Sequence, residues 1–182
     1  MWVLIDIIGA TIILGIIIMA ILGLNVNLDL ASYNKTFTLI TQTNTVTLAR
    51  MLEYDLVKAG YHTPKPAILG AKSDSISFLT DLRDAGVVNS VTYYLGPTSV
   101  LGSTKNPRDR MLYRVEYGST ISSNLGVTAL KFTYFDTAGS VTTIPSNIAS
   151  INVQFTVESP FPVDTTYAAA VWQKRVYPRN LP

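Results

Sequence analysis

The sequence predicts an α+β fold: a long N-terminal helical spine carrying a C-terminal head built on an antiparallel β-sheet. Three observations predict it. Met1 to Leu24 is almost wholly apolar, and Asp6 is the single charge in the first 28 positions. From Leu28 to Leu56 apolar residues recur mostly at three- and four-residue steps, the period of a helix with one covered face. From Tyr61 onward the chain breaks into short, mostly alternating segments bounded by Gly, Pro, Asn or Asp, the pattern of half-buried strands. One helix followed only by strands packs as a sheet laid on that helix. The expected organisation is a helix over 1–60, hydrophobic over 1–24 and amphipathic over 25–60, and a β-rich head over 61–182.

Composition narrows the functional classes. The 182 residues include 14 Lys plus Arg, 12 Asp plus Glu, one His and no Cys. Without Cys there is no disulfide, thiol nucleophile or Cys-type zinc site. A net charge of +2 spread thinly lacks the dense basic stripe of a nucleic-acid binder, so no nucleic acid is expected as a partner. No Gly-rich phosphate loop, Gly-x-Ser-x-Gly elbow or His-Glu-x-x-His string occurs, and no catalytic, cofactor or metal residues are assigned.

The first element is the apolar one. Ile7 to Leu24 is eighteen residues without charge or Pro; at about 1.5 Å per residue, Met1 to Leu24 can cross a hydrocarbon core of roughly 30 Å. No basic residue precedes it and no small-residue cleavage site follows it, unlike an ordinary signal peptide. A carboxylate inside such a helix costs roughly 2.5–3.5 kcal/mol on insertion scales, so Asp6 implies a positive partner, an α-ammonium of this or a neighbouring copy. Thr11, Gly15, Met19 and Gly23 fall four apart and make one mostly small face for close helix approach. Gly is also simply common in membrane helices, and both readings stay open.

WVLIDIIGATIILGIIIMAILGL resembles the mature N-terminus of type IV pilins and type II secretion pseudopilins: an aromatic first residue, a short apolar stretch and an acid at the fifth position. Counting from Trp2, the fifth residue is Asp6, the fourteenth Gly15 and the twenty-second Gly23. The family commonly has Glu, Gly and Pro there; Asp and Gly replace the first and third, and Thr11 adds a mid-span hydroxyl. No basic leader ending in Gly precedes Trp2. Either such a leader has been removed, or the chain reaches its filament without that step and keeps Met1.

The second half of the spine continues as helix to about Ala59, closed by Gly60 with Lys58 suited to a C-terminus. Thr36 to Leu48 (TFTLITQTNTVTL) competes as a strand because Thr alternates through it; helix is expected because no turn signal interrupts it. LARMLEYDLVKAGY, Leu48 to Tyr61, resembles the helix end of PilW-type minor pilins and J-type pseudopilins through Asp55, Leu56, Ala59, Gly60 and Tyr61. Val57 stands where those families usually carry Arg. The ending from Val171, VWQKRVYPRNLP, is similar to their final strand.

In the head, strands are expected at Ser75–Leu79, Ser90–Leu95, Met111–Tyr117, Ala129–Phe135, Val141–Ile144, Ser150–Val157 and Ala169–Val176, with a hairpin turn at Asp136–Gly139. His62 reads as a surface residue. Asp81 and Asp84 suit Ca²⁺ or acid–base chemistry by spacing, though a solvated loop is the plainer reading. Lys105, Arg108, Arg110 and Arg114 read as a solvated basic turn leading into a strand.

The resemblance implies a pilin-like architecture and a structural, non-enzymatic filament subunit, with Met1, Trp2, Asp6, Thr11, Gly15 and Gly23 as its assembly residues. It implies copies of itself or related pilin subunits as partners. It also implies an inner-membrane location before assembly and an extracellular or periplasmic filament afterwards. The alternative is a monomeric, membrane-anchored β-rich binding or adhesion module.

Overall fold

The computed structural model describes residues 2–102 and 104–182. Its architecture is α+β: one helix, then a single curled antiparallel sheet.

Helix α1 runs Trp2–Val57, 56 residues, about 84 Å at 1.5 Å per residue. It ends two residues before the expected Ala59. There the Ala59 and Tyr61 N–H groups close back on the Leu56 and Lys58 carbonyls at 3.1 and 2.9 Å, and the Gly60 N–H crosses to the Leu79 carbonyl at 2.9 Å. Gly60 takes φ +81° with Ala67 and Asn180 packed against it, a left-handed exit that only Gly makes cheaply. The Thr-rich stretch is helix throughout. Its hydroxyls turn inward: Thr36, Thr45 and Thr47 donate to the carbonyls of Ser32, Thr41 and Thr43 at 2.9, 2.7 and 2.9 Å. These three hydroxyls are thereby satisfied within the helix, whereas the buried Thr41 hydroxyl finds no partner among the described residues; tertiary packing overrides strand propensity.

Strands β1 (Ile68–Ala71), β2 (Ser75–Thr80), β3 (Asn89–Leu95), β4 (Arg110–Glu116), β5 (Ser119–Phe135), β6 (Ser150–Glu158) and β7 (Ala169–Val176) form one seven-stranded sheet in chain order. Two short 3₁₀ turns, Thr98–Leu101 and Pro145–Asn147, interrupt the loops. Three differences from expectation have physical causes. Strand β1 follows two prolines, spans four residues and contains Gly70, so it offered no alternation. Strand β5 begins ten residues before the expected Ala129; Ser119–Leu125 is exposed or half-exposed on both faces, so no alternation marks it. Val141–Ile144 is not a strand: Val141 makes one isolated bridge to Phe135. The Asp136–Gly139 turn does form, with Gly139 at φ +81° and the Asp136 carboxylate accepting the Ser140 N–H at 2.8 Å. The strand end it serves pairs with β6 instead, Phe135 opposite Ser150.

The long β5 changes partner in mid-course, pairing with β4 up to Val127 and with β6 from Val127 on. Gly126 sits at that joint with φ +73°, and a Cβ there would run into the Glu158 carbonyl.

The core lies between α1 and the inner sheet face. Leu48, Leu52 and Leu56, four residues apart, are fully buried against Phe78, Tyr93, Ile151, Val153 and Phe155. Each such Leu contributes about 1.5–3 kcal/mol through burial. Trp172 stacks on Phe155 at 5.1 Å between ring centres. The apolar half of α1 takes no part: every residue from Trp2 to Thr36 is exposed except Gly9 and Gly15, which are intermediate.

Two core phenols make the head sensitive to alkali. Burial first, and the Asp55 charge second, push the Tyr93 hydroxyl far above its usual value of 10.0. Burial, then Asp74, does the same for Tyr134, whose hydroxyl is shared between the Lys72 and Ser75 carbonyls at 2.8 and 3.0 Å. Raised folded-state values mean stability that is fully present below about pH 10 and lost as pH rises above it. The slope is about 1.4 kcal/mol per pH unit for each phenol that only the unfolded chain ionises. Denaturation midpoints followed by near-UV circular dichroism should therefore drop steeply above pH 10, with these two phenolates absorbing only as the signal is lost. Reversible ionisation of all ten tyrosines with the signal intact would contradict this.

Candidate functional site

Two regions carry the functional question: the uncovered stretch of α1 and the polar network that seats its other end in the head.

The uncovered stretch holds the assembly residues expected from sequence. Met1 lies outside the described residues. Trp2 begins α1 and is 81% exposed. Asp6 is exposed one turn on, and among the described residues no Lys, Arg or His lies within ion-pair distance of it. Thr11 hides its hydroxyl by donating to the Ile8 carbonyl at 2.8 Å, which makes it tolerable in lipid or against another helix. A Cβ added at Gly15 or Gly23 would meet nothing within 4 Å, so no contact among the described residues requires Gly there. The helix therefore strings Trp2, Asp6, Thr11, Gly15 and Gly23 along one rod without bringing them to a common point. This one N-terminal helix is long and apolar enough to cross a membrane.

At the other end, Asp55 on α1 enters the head. Tyr93 on β3 donates its hydroxyl to the Asp55 carboxylate. Arg114 on β4 donates Nε to the same Asp55 oxygen at 2.7 Å and its Nη1 to Glu116. These side chains are nearly closed to solvent, at 3% exposed for Asp55, 11% for Arg114 and 10% for Glu116. Burial works against the charged Arg114, but its hydrogen bonds to the Asp55 and Glu116 carboxylates more than offset it and hold the guanidinium protonated. Lys174 on β7 pairs with Glu53, and Asn44 donates to the Leu125 carbonyl at 3.2 Å. Together these contacts fix the angle at which the head sits on its spine. By sequence, Asp55 belongs to a helix-end pattern and Arg114 to a solvated basic turn. The second assignment is corrected by this burial. The separation of Asp55 and Arg114 by 59 positions leaves no local signal of the pairing.

The rest of the expected basic turn does lead into β4 and is solvated at Lys105 and Arg108, while Arg110, the first residue of β4, is half-buried with no partner for its Nε among the described residues. Arg108 pairs with Glu158 at 2.9 Å and lies over the Tyr167 ring at 5.5 Å; Lys105 offers its carbonyl to the Tyr167 hydroxyl at 2.9 Å. The Asp81–Asp84 loop is only half solvated. Asp81 is fully buried and accepts the Ala85 and Gly86 N–H groups at 3.0 and 2.7 Å. Burial raises its pKa, yet those two N–H groups and His62 together pull it below the ordinary carboxylate value. His62, stacked on Tyr61 at 4.0 Å, holds Nδ1 at 3.6 Å from both Asp81 and Asp84. The trio is spaced to meet a cation, but both Asp81 oxygens already hold the turn closed, which is the role its hydrogen bonds account for.

No protein-family model and no curated protein sequence matches the chain.

Proposed function

We propose that the protein is a structural subunit of a type IV pilus-like or pseudopilus filament, assembling through its N-terminal helix. The observation that carries the reading is that the head completes its own core with helix residues from Thr41 onward, while the rod before it, apolar from Trp2 to Leu24 over about 35 Å, is left without cover. Apolar surface on that scale needs lipid or other helices around it. Before assembly the rod waits in the inner membrane; in the extracellular or periplasmic filament it exchanges lipid for the rods of copies or related pilin subunits. Heads form the outer layer.

Asp6 sets the register by facing a neighbour's terminal ammonium. A misplaced subunit leaves that carboxylate buried and unpaired, a penalty on the order of 3 kcal/mol. Electron microscopy of producing cells should show thin fibres, and Asp6→Ala should abolish or slow their formation while leaving membrane insertion intact or improved. Normal fibres from that variant would remove Asp6 from the mechanism. A protein that stays monomeric in the membrane with no fibres would instead be an anchored binding module.

A further inference from the structure

We infer that the back of the second half of α1, the side turned away from the sheet, seats the apolar stretch of a second copy, displaced by about 29 residues. Asp6 of one copy then comes level with Lys35 of the other. The inference rests on the filament reading and specifies one of its contacts.

Helix α1 meets the sheet through Thr41, Thr45, Leu48, Leu52, Asp55 and Leu56. On the opposite side Leu39, Thr43, Val46, Arg50 and Tyr54 follow at steps of four, three, four and four, and all are exposed. An ordinary solvent-facing helix side is rich in charge; this ridge carries one Arg. The Thr47 hydroxyl beside it donates to the Thr43 carbonyl at 2.9 Å, so methyl surface is what remains to be covered. The ridge is continuous with the uncovered Trp2–Thr36 stretch. The partner of matching character that the chain itself supplies is its own apolar rod, which cannot fold back on the helix it belongs to. A second copy can supply it.

Shape does not fix the offset, because the rod is apolar all round. Charge does. Asp6 is the only charge between Trp2 and Leu28. Lys35 lies in line with the ridge, four residues before Leu39 and eleven before Val46, and it has no ion-pair partner among the described residues. The two are 29 positions apart, about eight helical turns or 44 Å. At that displacement the uncharged run from Ile7 to Leu24 lies along 36–53, and Arg50 can lay its stem beside Ile21 with its guanidinium at the margin. Two turns less would set Asp6 against Leu28 and leave the carboxylate on an apolar side chain. The carboxylate can face Lys35 of one neighbour and the terminus of another, since it has two acceptor oxygens.

The chain has no Cys, so a pair of introduced thiols reports only on itself. Ile17→Cys combined with Val46→Cys, oxidised in assembled fibres of the full chain, should give a ladder of covalent dimers, trimers and longer species on a non-reducing gel. Each single variant should stay monomeric, and Ile17→Cys with Leu39→Cys, set two turns short, should not link. Disulfides form only when Cα atoms come within roughly 7 Å, which makes the readout specific to the offset. Leu14→Cys with Thr43→Cys tests the same displacement should the first pair block fibre formation. Fibres that form normally while neither 29-residue pair links, or that link through the shorter pair, overturn this contact and leave the filament reading standing. Absence of fibres from the unsubstituted chain overturns both.

Discussion

Arg114→Met should cost the head about 3–5 kcal/mol, the usual consequence of removing one member of a buried ion pair. Asp55 and Glu116 would remain nearly closed to solvent with their shared cation gone. Tyr93 still donates to Asp55, but a neutral hydroxyl does not balance a buried carboxylate. Against a total stability of about 5–15 kcal/mol this is a large share, and it should lower the melting temperature of the full chain in micelles by roughly 10–15 °C. Asp55→Leu added to Arg114→Met should restore part of the loss, because a buried ion pair exchanged for apolar side chains of similar volume is often close to neutral. A single variant melting within about 2 °C of the unsubstituted chain would mean that the network orients the helix without stabilising it.

Gly126→Ala is the second large effect. The backbone at φ +73° costs an L-residue about 1–2 kcal/mol. The new methyl would also meet the Glu158 carbonyl, which cannot retreat without disturbing the Val127–Val157 pairing beside it. Crowding of that kind adds typically 1–3 kcal/mol, for a total of about 2–5 kcal/mol in chemical denaturation. Gly139→Ala is the internal control: its φ is +81°, but nothing lies within 4 Å of the added Cβ, so only the conformational part should be lost. Equal losses at the two sites would show that the Glu158 contact relaxes freely.

Much of the fold was legible because the chain spells its two periods cleanly. The apolar run and the stripe through Leu48, Leu52 and Leu56 gave the helix, and five of the strands fall on alternating segments with turn residues at their ends. What stayed hidden lacked local contrast. Ser119–Leu125 is exposed or half-exposed on both faces, so no alternation marks it. Strand β1 is too short to show a period, while Val141–Ile144 has β-branched residues but nothing to pair with beyond one bridge. At the site, the apolar helix was readable because its uncharged run from Ile7 to Leu24 marks it without reference to the rest of the chain. The Asp55–Tyr93–Arg114–Glu116 network was not, since it joins α1, β3 and β4, and the basic residues around Arg114 suggested a wet surface.

The strand order has a consequence for how the molecule is made. Every sheet neighbour is the next strand along the chain, so each pairing closes only a short loop, at modest entropic cost. The sheet can therefore be completed hairpin by hairpin in the order of synthesis, behind a spine that has already left the ribosome. Nothing downstream has to arrive before an earlier hairpin can close.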